Sequence, residues 1–168
     1  MKMKKYMCIL PVALMVCGGC FFPRGKALNT VNYLPELPGK GTPVFTLRSG
    51  AVSNISGAGR EFLLRGSDST VKVVPEMRWL NAPEAMLKSA MLMKFAGNEQ
   101  TPAVSAQIVR FEFTPDFRTL EAVIVFSIRS GKNIVCVESV PVMDKNYGKA
   151  AAELFCRAVN KVTASVKK

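Results

Sequence analysis

The side chains equipped for covalent chemistry are few, and the cysteines come first. There are five. Cys8, Cys17 and Cys20 fall in the first twenty residues, and Cys136 and Cys156 lie far downstream. Cys20 follows Gly18-Gly19, small residues that suit a processing peptidase beside its cut. Its thiol is placed to take a diacylglyceryl group and, after cleavage, to become the new N-terminus. Cys17 is the alternative acceptor, with Leu14 well placed upstream but the bulky Val16 next to the cut. Beyond the cysteines the inventory is thin. The chain has no histidine, which removes Ser/His and Cys/His nucleophile pairs and most metal sites. Glu36, Glu61, Glu76, Glu84, Glu112 and Glu121 show no paired spacing for acid–base work. Ser56-Gly57-Ala58-Gly59 reads as a glycine turn, not a phosphate-cradling loop. No catalytic residue, metal site or cofactor is expected, and the chain reads as a non-enzyme.

The residues around Cys20 give that thiol its context. Lys2, Lys4 and Lys5 form a cationic start, and an apolar run broken only by Pro11 follows from Met7 to Val16. This is the layout of an export signal. The run is too short to cross a bilayer, which takes roughly 20 residues. Ending on cysteine after small residues, the segment looks like a bacterial lipoprotein signal. Residues 1–19, with Cys8 among them, are then expected to leave. Residues 20–42 become a lipidated N-terminus and flexible tether. Within it FFPRGKALNTVNYLPELPGKGT carries prolines, glycines and no sustained period. Residues 43–168 form one domain with room for a core. The expected location is the bacterial envelope, facing the periplasm. Phe21 stands where an Asp retention signal would sit, so the enterobacterial sorting rule favours the outer membrane.

Charge narrows the partners. The full chain has 23 basic against 12 acidic residues; without the three signal lysines, 20 against 12 leaves +8. Such an excess attracts anionic headgroups or an acidic protein, or serves as solvated surface. The basic residues are scattered and the chain is exported, so no nucleic-acid partner is expected. Cys136 and Cys156 have two readings. They pair as a disulfide if a helix lays one against the other, which an oxidising compartment permits. The preferred reading is separate burial as small hydrophobes.

Stepping along the chain gives the elements that position these residues. Pro43–Ser53 reads as a first strand, with Val44, Phe45 and Leu47 as its apolar content, and Arg60–Arg65 as a second. Thr70–Trp79 alternates, with Val71, Val73, Met77 and Trp79 on an apolar face; Pro75 demands an edge or a bulge. Asn81 to Phe95 is a helix capped by Asn81, with Leu87, Ala90, Met91 and Phe95 in one stripe that Met86, Leu92 and Met93 widen. That Met-rich stretch suits core packing, with contact to lipid acyl chains as the second reading. Val104–Thr114 follows, with Val109, Phe111 and Phe113 on one face. Arg118–Arg129 is apolar on both faces and so is read as a central strand covered on both sides. Asn133–Val140 completes an antiparallel meander, because the connections are too short for crossovers. A helix from Asp144, its expected cap, to Val166 buries Ala151, Leu154, Phe155, Ala158 and Val162. The order is β-β-β-α-β-β-β-α. The expected class is α/β: a mixed, largely antiparallel sheet of five to six strands with two main helices, in three layers.

The order and spacing of these segments resemble a family. Phe62-Leu63-Leu64-Arg65, a polar turn, Val71–Met77, Arg78-Trp79 before a proline and a long apolar helix, then Val109-Arg110-Phe111-Glu112, and finally Tyr147-Gly148-Lys149-Ala150-Ala151-Ala152 opening the last helix are similar to the ABC-type transport auxiliary lipoproteins, the paraquat-inducible protein C-like family. The resemblance runs over roughly 43–166 plus the cysteine signal. It marks Arg78, Trp79, Phe111 and Tyr147 as structural positions. It departs from the family at Gly97–Pro102, which has little room for an additional short strand. The resemblance implies a non-catalytic scaffold or docking component beside an MCE (mammalian cell entry) protein and an ABC permease complex. Such a system moves lipid between bacterial membranes, with phospholipid contact and homo-oligomerisation as further expectations. Two alternatives stay open. One is a lipid- or glycolipid-binding envelope-assembly lipoprotein, served by the basic surface and the Met-rich helix. The other is a structural lipoprotein of a secretion complex.

Overall fold

The computed structural model describes residues 31–33 and 42–166; residues 1–19, Cys17, Cys20 and the rest of the expected tether lie outside the described residues. Nine elements follow in order: β1 (Val31–Tyr33), β2 (Arg48–Asn54), β3 (Glu61–Arg65), β4 (Val71–Trp79), α1 (Pro83–Lys94), β5 (Ala103–Phe113), β6 (Thr119–Ile128), β7 (Asn133–Pro141) and α2 (Tyr147–Val166). The strands form one mixed sheet in the order β1-β4-β3-β5-β6-β7, with β2 also on β5. The β5-β6-β7 meander is antiparallel, as the short turns require. β2 and β3 both run parallel to β5, β2 beside its first half and β3 meeting it at Leu64 opposite Phe113. They act as one long strand interrupted by the excursion around Gly57, whose φ of 80° suits glycine.

The class is as expected, an open mixed sheet with two helices, but three features differ. First, the sheet has seven strands. The extra one, β1, comes from the stretch read as flexible tether, and its Val31, Asn32 and Tyr33 pair with Met77, Arg78 and Trp79. Three residues between proline- and glycine-rich flanks carry no period of their own. Second, the layers number two among the described residues. α1 and α2 pack beside each other over the same sheet face. Third, β6 lies between β5 and the edge strand β7, so it is interior but not the centre of the sheet, and it is not covered on both sides. Leu120, Ala122, Ile124, Phe126 and Ile128 are buried under the helices, while Val123 and Val125 lie half-exposed on the other face.

Two bulges set which side chains face the core. In β4, Glu61 pairs with Arg78 but Phe62 pairs with Val74, so Pro75, Glu76 and Met77 are extra. This is the bulge that Pro75 called for. It turns Trp79 into the core and leaves Val71 and Val73 exposed, contrary to the single apolar face expected. In β5, Ile108 pairs with Ile124 and Arg110 with Val123, which leaves Val109 extra. The bulge inverts the alternation. Val104, Ala106 and Ile108 point inward before it, Phe111 and Phe113 after it, and Val109 is 39% exposed instead of sharing their face.

The helix starts also differ from expectation. α1 begins after Ala82 with Pro83 at its first position and no side-chain cap, so Asn81 does not cap it. Instead Asn54 Nδ2 donates to Glu84 Oε2 at 3.2 Å and ties the first turn to β2. α2 is capped by Asn146, whose Oδ1 accepts from Lys149 N at 2.9 Å. Asp144 lies upstream with φ of 50°. Met86, Leu87, Ala90 and Met91 are buried, so the Met-rich helix is a core element; Leu92 alone stands well out.

Candidate functional site

The residues singled out by sequence fall into one aromatic cluster that supports the sheet. Trp79 is 1% exposed, with its ring 4.2 Å from Phe62, 5.5 Å from Phe111 and 6.0 Å from Phe113. Phe111 stacks on Phe155 of α2 at 5.2 Å. Tyr147 meets Tyr33, Phe62 and Phe113 edge-on at 5.0, 5.5 and 5.4 Å. Burial, then the neighbouring Tyr33, pushes its hydroxyl above the ordinary tyrosine value. Arg78 points outward and pairs with Glu61, its cross-strand neighbour, at 3.0 Å. Three of the four positions are therefore core anchors and the fourth is a surface clamp.

The two downstream cysteines are free. Cys136 is buried, with its Sγ 3.7 Å from the Ala158 carbonyl. Cys156 is half-buried on α2 near Lys94. Burial raises both thiols above their ordinary values; Glu138 adds to this at Cys136, and Lys161 and Lys94 oppose it at Cys136 and Cys156 respectively. The disulfide is not formed, and separate burial is what the fold provides.

The face of the sheet turned away from the helices carries the site. Across its middle runs an ionic chain that spacing did not reveal. Glu112, 3% exposed, takes Arg65 of β3 in a two-pronged pair, with Arg65 Nη2 2.9 Å from Oε2, and also meets Arg110. Arg110 continues to Glu121 of β6. Glu112 and Glu121 are direct cross-strand partners, so without the arginines two like charges would oppose each other. Accepting from Arg65 satisfies Glu112 and holds the guanidinium above its ordinary value. The signal available in the sequence was the tight Pro115-Asp116 turn, which sets Glu112 opposite Glu121 once the register is known.

Beside this chain lies a block of valines. Val123 pairs across strands with Val137, and Val125 with Val135. Val135 and Val137 are 63% and 67% exposed, and the bulged Val109 adjoins the block. β-Branched side chains are stiff, so this is a flat, pre-ordered apolar surface. It reaches the outer edge of β7. There Glu138 points inward and meets Lys161 at 2.6 Å, and Lys161 also donates to the Val137 carbonyl at 3.4 Å. An inward charge and a capped carbonyl blunt the edge against indiscriminate strand pairing. The face itself is not blunted. The arrangement does no covalent chemistry; it offers a rigid apolar patch bordered by a fixed ionic band.

The architecture defines a class, a two-layer α/β domain with an open mixed sheet. Comparison with known proteins gives a likeness of fold. No protein-family model and no curated protein matches the sequence. A solved structure described as an uncharacterized protein superimposes with a TM-score of 0.53 at 11% identity, over 82% of this chain and 99% of its own. Protein XCC0632 from Xanthomonas campestris, described under DUF330, gives a TM-score of 0.46 at 15% identity, over 81% of this chain and 92% of its own.

Proposed function

We propose that the chain is a lipid-anchored, non-catalytic docking domain of the bacterial envelope, accessory to an ABC/MCE-type lipid transport system. The anchor is the thioether-linked lipid on Cys20, facing the periplasm from the outer membrane. The observation that carries the docking role is the valine block on the uncovered sheet face. Exposed contiguous apolar surface in an otherwise charged domain marks a contact with another molecule. Its shape is flat and stiff, which suits a protein surface better than a flexible acyl chain. The absence of histidine from the chain and the commitment of Glu112, Glu121 and Glu138 to ion pairs support a role without chemistry of its own. The order of segments shared with the auxiliary lipoproteins supports the choice of partner.

The test uses the mature lipoprotein extracted in detergent. Labelled palmitate enters the protein in cells and is lost in Cys20→Ser; loss in Cys17→Ser alone moves the anchor. An MCE-type protein co-purifies with the unaltered chain and is lost in Val135→Asp/Val137→Asp, whose melting temperature stays close to the parent. Stoichiometric phospholipid in native mass spectra without a protein partner replaces this reading with the lipid-binding alternative.

A further inference from the structure

The strands have two ends, and they differ in kind. At one end lie the Gly66–Ser69 turn, the Pro115–Arg118 turn and the Val142–Asn146 connection into α2. Every non-glycine residue with positive φ among the described residues sits there: Ser69 at 65°, Phe117 at 57°, Asp144 at 50° and Lys145 at 56°. Side chains with a Cβ seldom adopt this region, and strain of this kind persists where a loop must hold a set shape. Part of it is explained by packing, since Phe117 folds back on Phe113 and Tyr147 at 5.8 and 6.2 Å. The consecutive left-handed pair Asp144-Lys145 has no such buried purpose.

What this pair shapes is the loop that presents Met143, 66% exposed. Val142 N donates to the Arg118 carbonyl at 2.7 Å, which sets the methionine beside Arg118. Lys149 borders it across a small surface recess, and Lys145 follows in the same loop. Acidic groups share this end: Asp144 adjoins Met143, Glu153 lines the same recess and pairs with Arg157, and Asp116 faces Arg118 Nε at 3.7 Å, while Asp68 and Asp116 are also held by their own loops. Asp68 accepts from Thr70 N and Oγ1 at 3.1 and 2.6 Å, and Asp116 from Arg118 N and Thr114 Oγ1 at 3.0 and 2.8 Å. These bonds hold both carboxyls below their usual range. An exposed methionine in a rim of mixed sign, with Lys145 and Lys149 beside it and Arg118 near, suits a lipid interface where the tip enters the acyl boundary and the cations meet phosphates.

A second observation points the same way. β1 runs parallel to β4, with Val31 opposite Met77. β1 therefore points its first residue, Val31, toward the Val71 side, which is this same end. Residues 21–30 separate Cys20 from Val31, a reach of at most roughly 35 Å for a chain of that length. A lipid on Cys20 keeps this end of the domain within a few nanometres of its bilayer. At the high effective concentration a short linker imposes, a weak contact is enough to set orientation.

We infer that the Met143 end of the sheet is the membrane-facing surface, contacting phospholipid headgroups through Arg118, Lys145 and Lys149, so that the strands stand across the bilayer plane and the valine block faces sideways. This rests on the lipid-anchor reading of the previous subsection. The test places a reporter tryptophan at each surface in the mature lipoprotein, reconstituted in phosphatidylethanolamine–phosphatidylglycerol vesicles. Both positions are exposed, so Met143→Trp and Val137→Trp keep the core intact, and Trp79 supplies a constant buried background. With brominated phospholipid, the added emission of Met143→Trp is quenched and blue-shifted, and that of Val137→Trp is not. Quenching at Val137→Trp alone lays the sheet face on the bilayer and overturns the inference; quenching at neither stands the domain off on its tether and also overturns it. Failure of the parent protein to float with the vesicles overturns the anchor itself, an outcome distinct from both.

Discussion

Replacing Trp79 with alanine removes the side chain on which the aromatic cluster closes. Trp79 is 1% exposed and lies against Phe62 of β3 and Phe111 and Phe113 of β5. It also anchors β4 just after the Pro75 bulge, where Trp79 N donates to the Arg60 carbonyl at 2.6 Å. Truncating a fully buried aromatic to alanine costs ~3–5 kcal/mol, part of it lost transfer energy and part the cavity left behind. The upper half of that range applies here, because the three rings against Trp79 cannot close the gap without moving β3, β5 and, through the Phe111–Phe155 stack, α2. Near the melting point, a domain of this size loses about 3–5 °C per kcal/mol, so the expected drop in Tm is roughly 12–25 °C. Scanning calorimetry of the parent, Trp79→Ala and Trp79→Phe reads it directly, with the phenylalanine variant recovering a large part of the loss. A Tm for Trp79→Ala within a few degrees of the parent, together with lost partner binding, shows a contact residue in place of a core anchor and refutes the reasoning.

Two further expectations concern groups the cluster does not include. Glu112→Gln leaves Arg65 and Arg110 without their shared carboxylate; because both arginine side chains are about one-third exposed, solvent screens part of the loss, and chemical denaturation should show ~1–3 kcal/mol of destabilisation rather than the full value of a buried pair. Breaking the chain fully, as in Arg65→Met/Glu112→Leu, should restore more than half of that. Buried Cys136 should resist thiol reagents at neutral pH and react at the rate of unfolding, whereas half-buried Cys156 should react sooner; rapid labelling of Cys136 in the native protein contradicts its place under α2.

Much of this fold was legible because its long elements obey their periods. β6 alternates without interruption from Leu120 to Ile128, and α2 repeats Ala151, Leu154, Phe155, Ala158 and Val162 at helical spacing. The same alternation misled where a single residue broke it. Val109 belongs by parity with Phe111 and Phe113, and only the bulge at Ile108/Arg110 separates them. A bulge leaves no compositional mark when its extra residue is a valine, whereas Pro75 announced the one in β4. β1 was hidden for another reason: it gains its identity from pairing with Met77–Trp79, not from its own three residues. The apolar second face of β6 was read as evidence of cover, on the rule that doubly apolar strands are buried on both sides. Among the described residues that cover is missing, and the contradiction is informative.

A sequence that satisfies its local rules nearly everywhere tends to violate them where it functions. Two violations survive here once packing has been accounted for. The valines at 123, 125, 135 and 137 spend apolar surface on water, which a stand-alone domain has no reason to do across two adjacent strands. Asp144 and Lys145 hold a left-handed backbone that asparagine or glycine would adopt more easily, in the connection that exposes Met143. The first lies on a face of the sheet and the second at its end, so their surfaces are roughly perpendicular. On the proposed reading, a domain tethered by its N-terminus gains from that separation, because it can touch a bilayer and a protein partner at once. The two sites are also independent of each other in the packing, because the Arg65–Glu112–Arg110–Glu121 chain stiffens the sheet along the upper border of the valine block. Substitutions at Met143 and at Val137 should therefore add without coupling in any assay of assembly at the membrane.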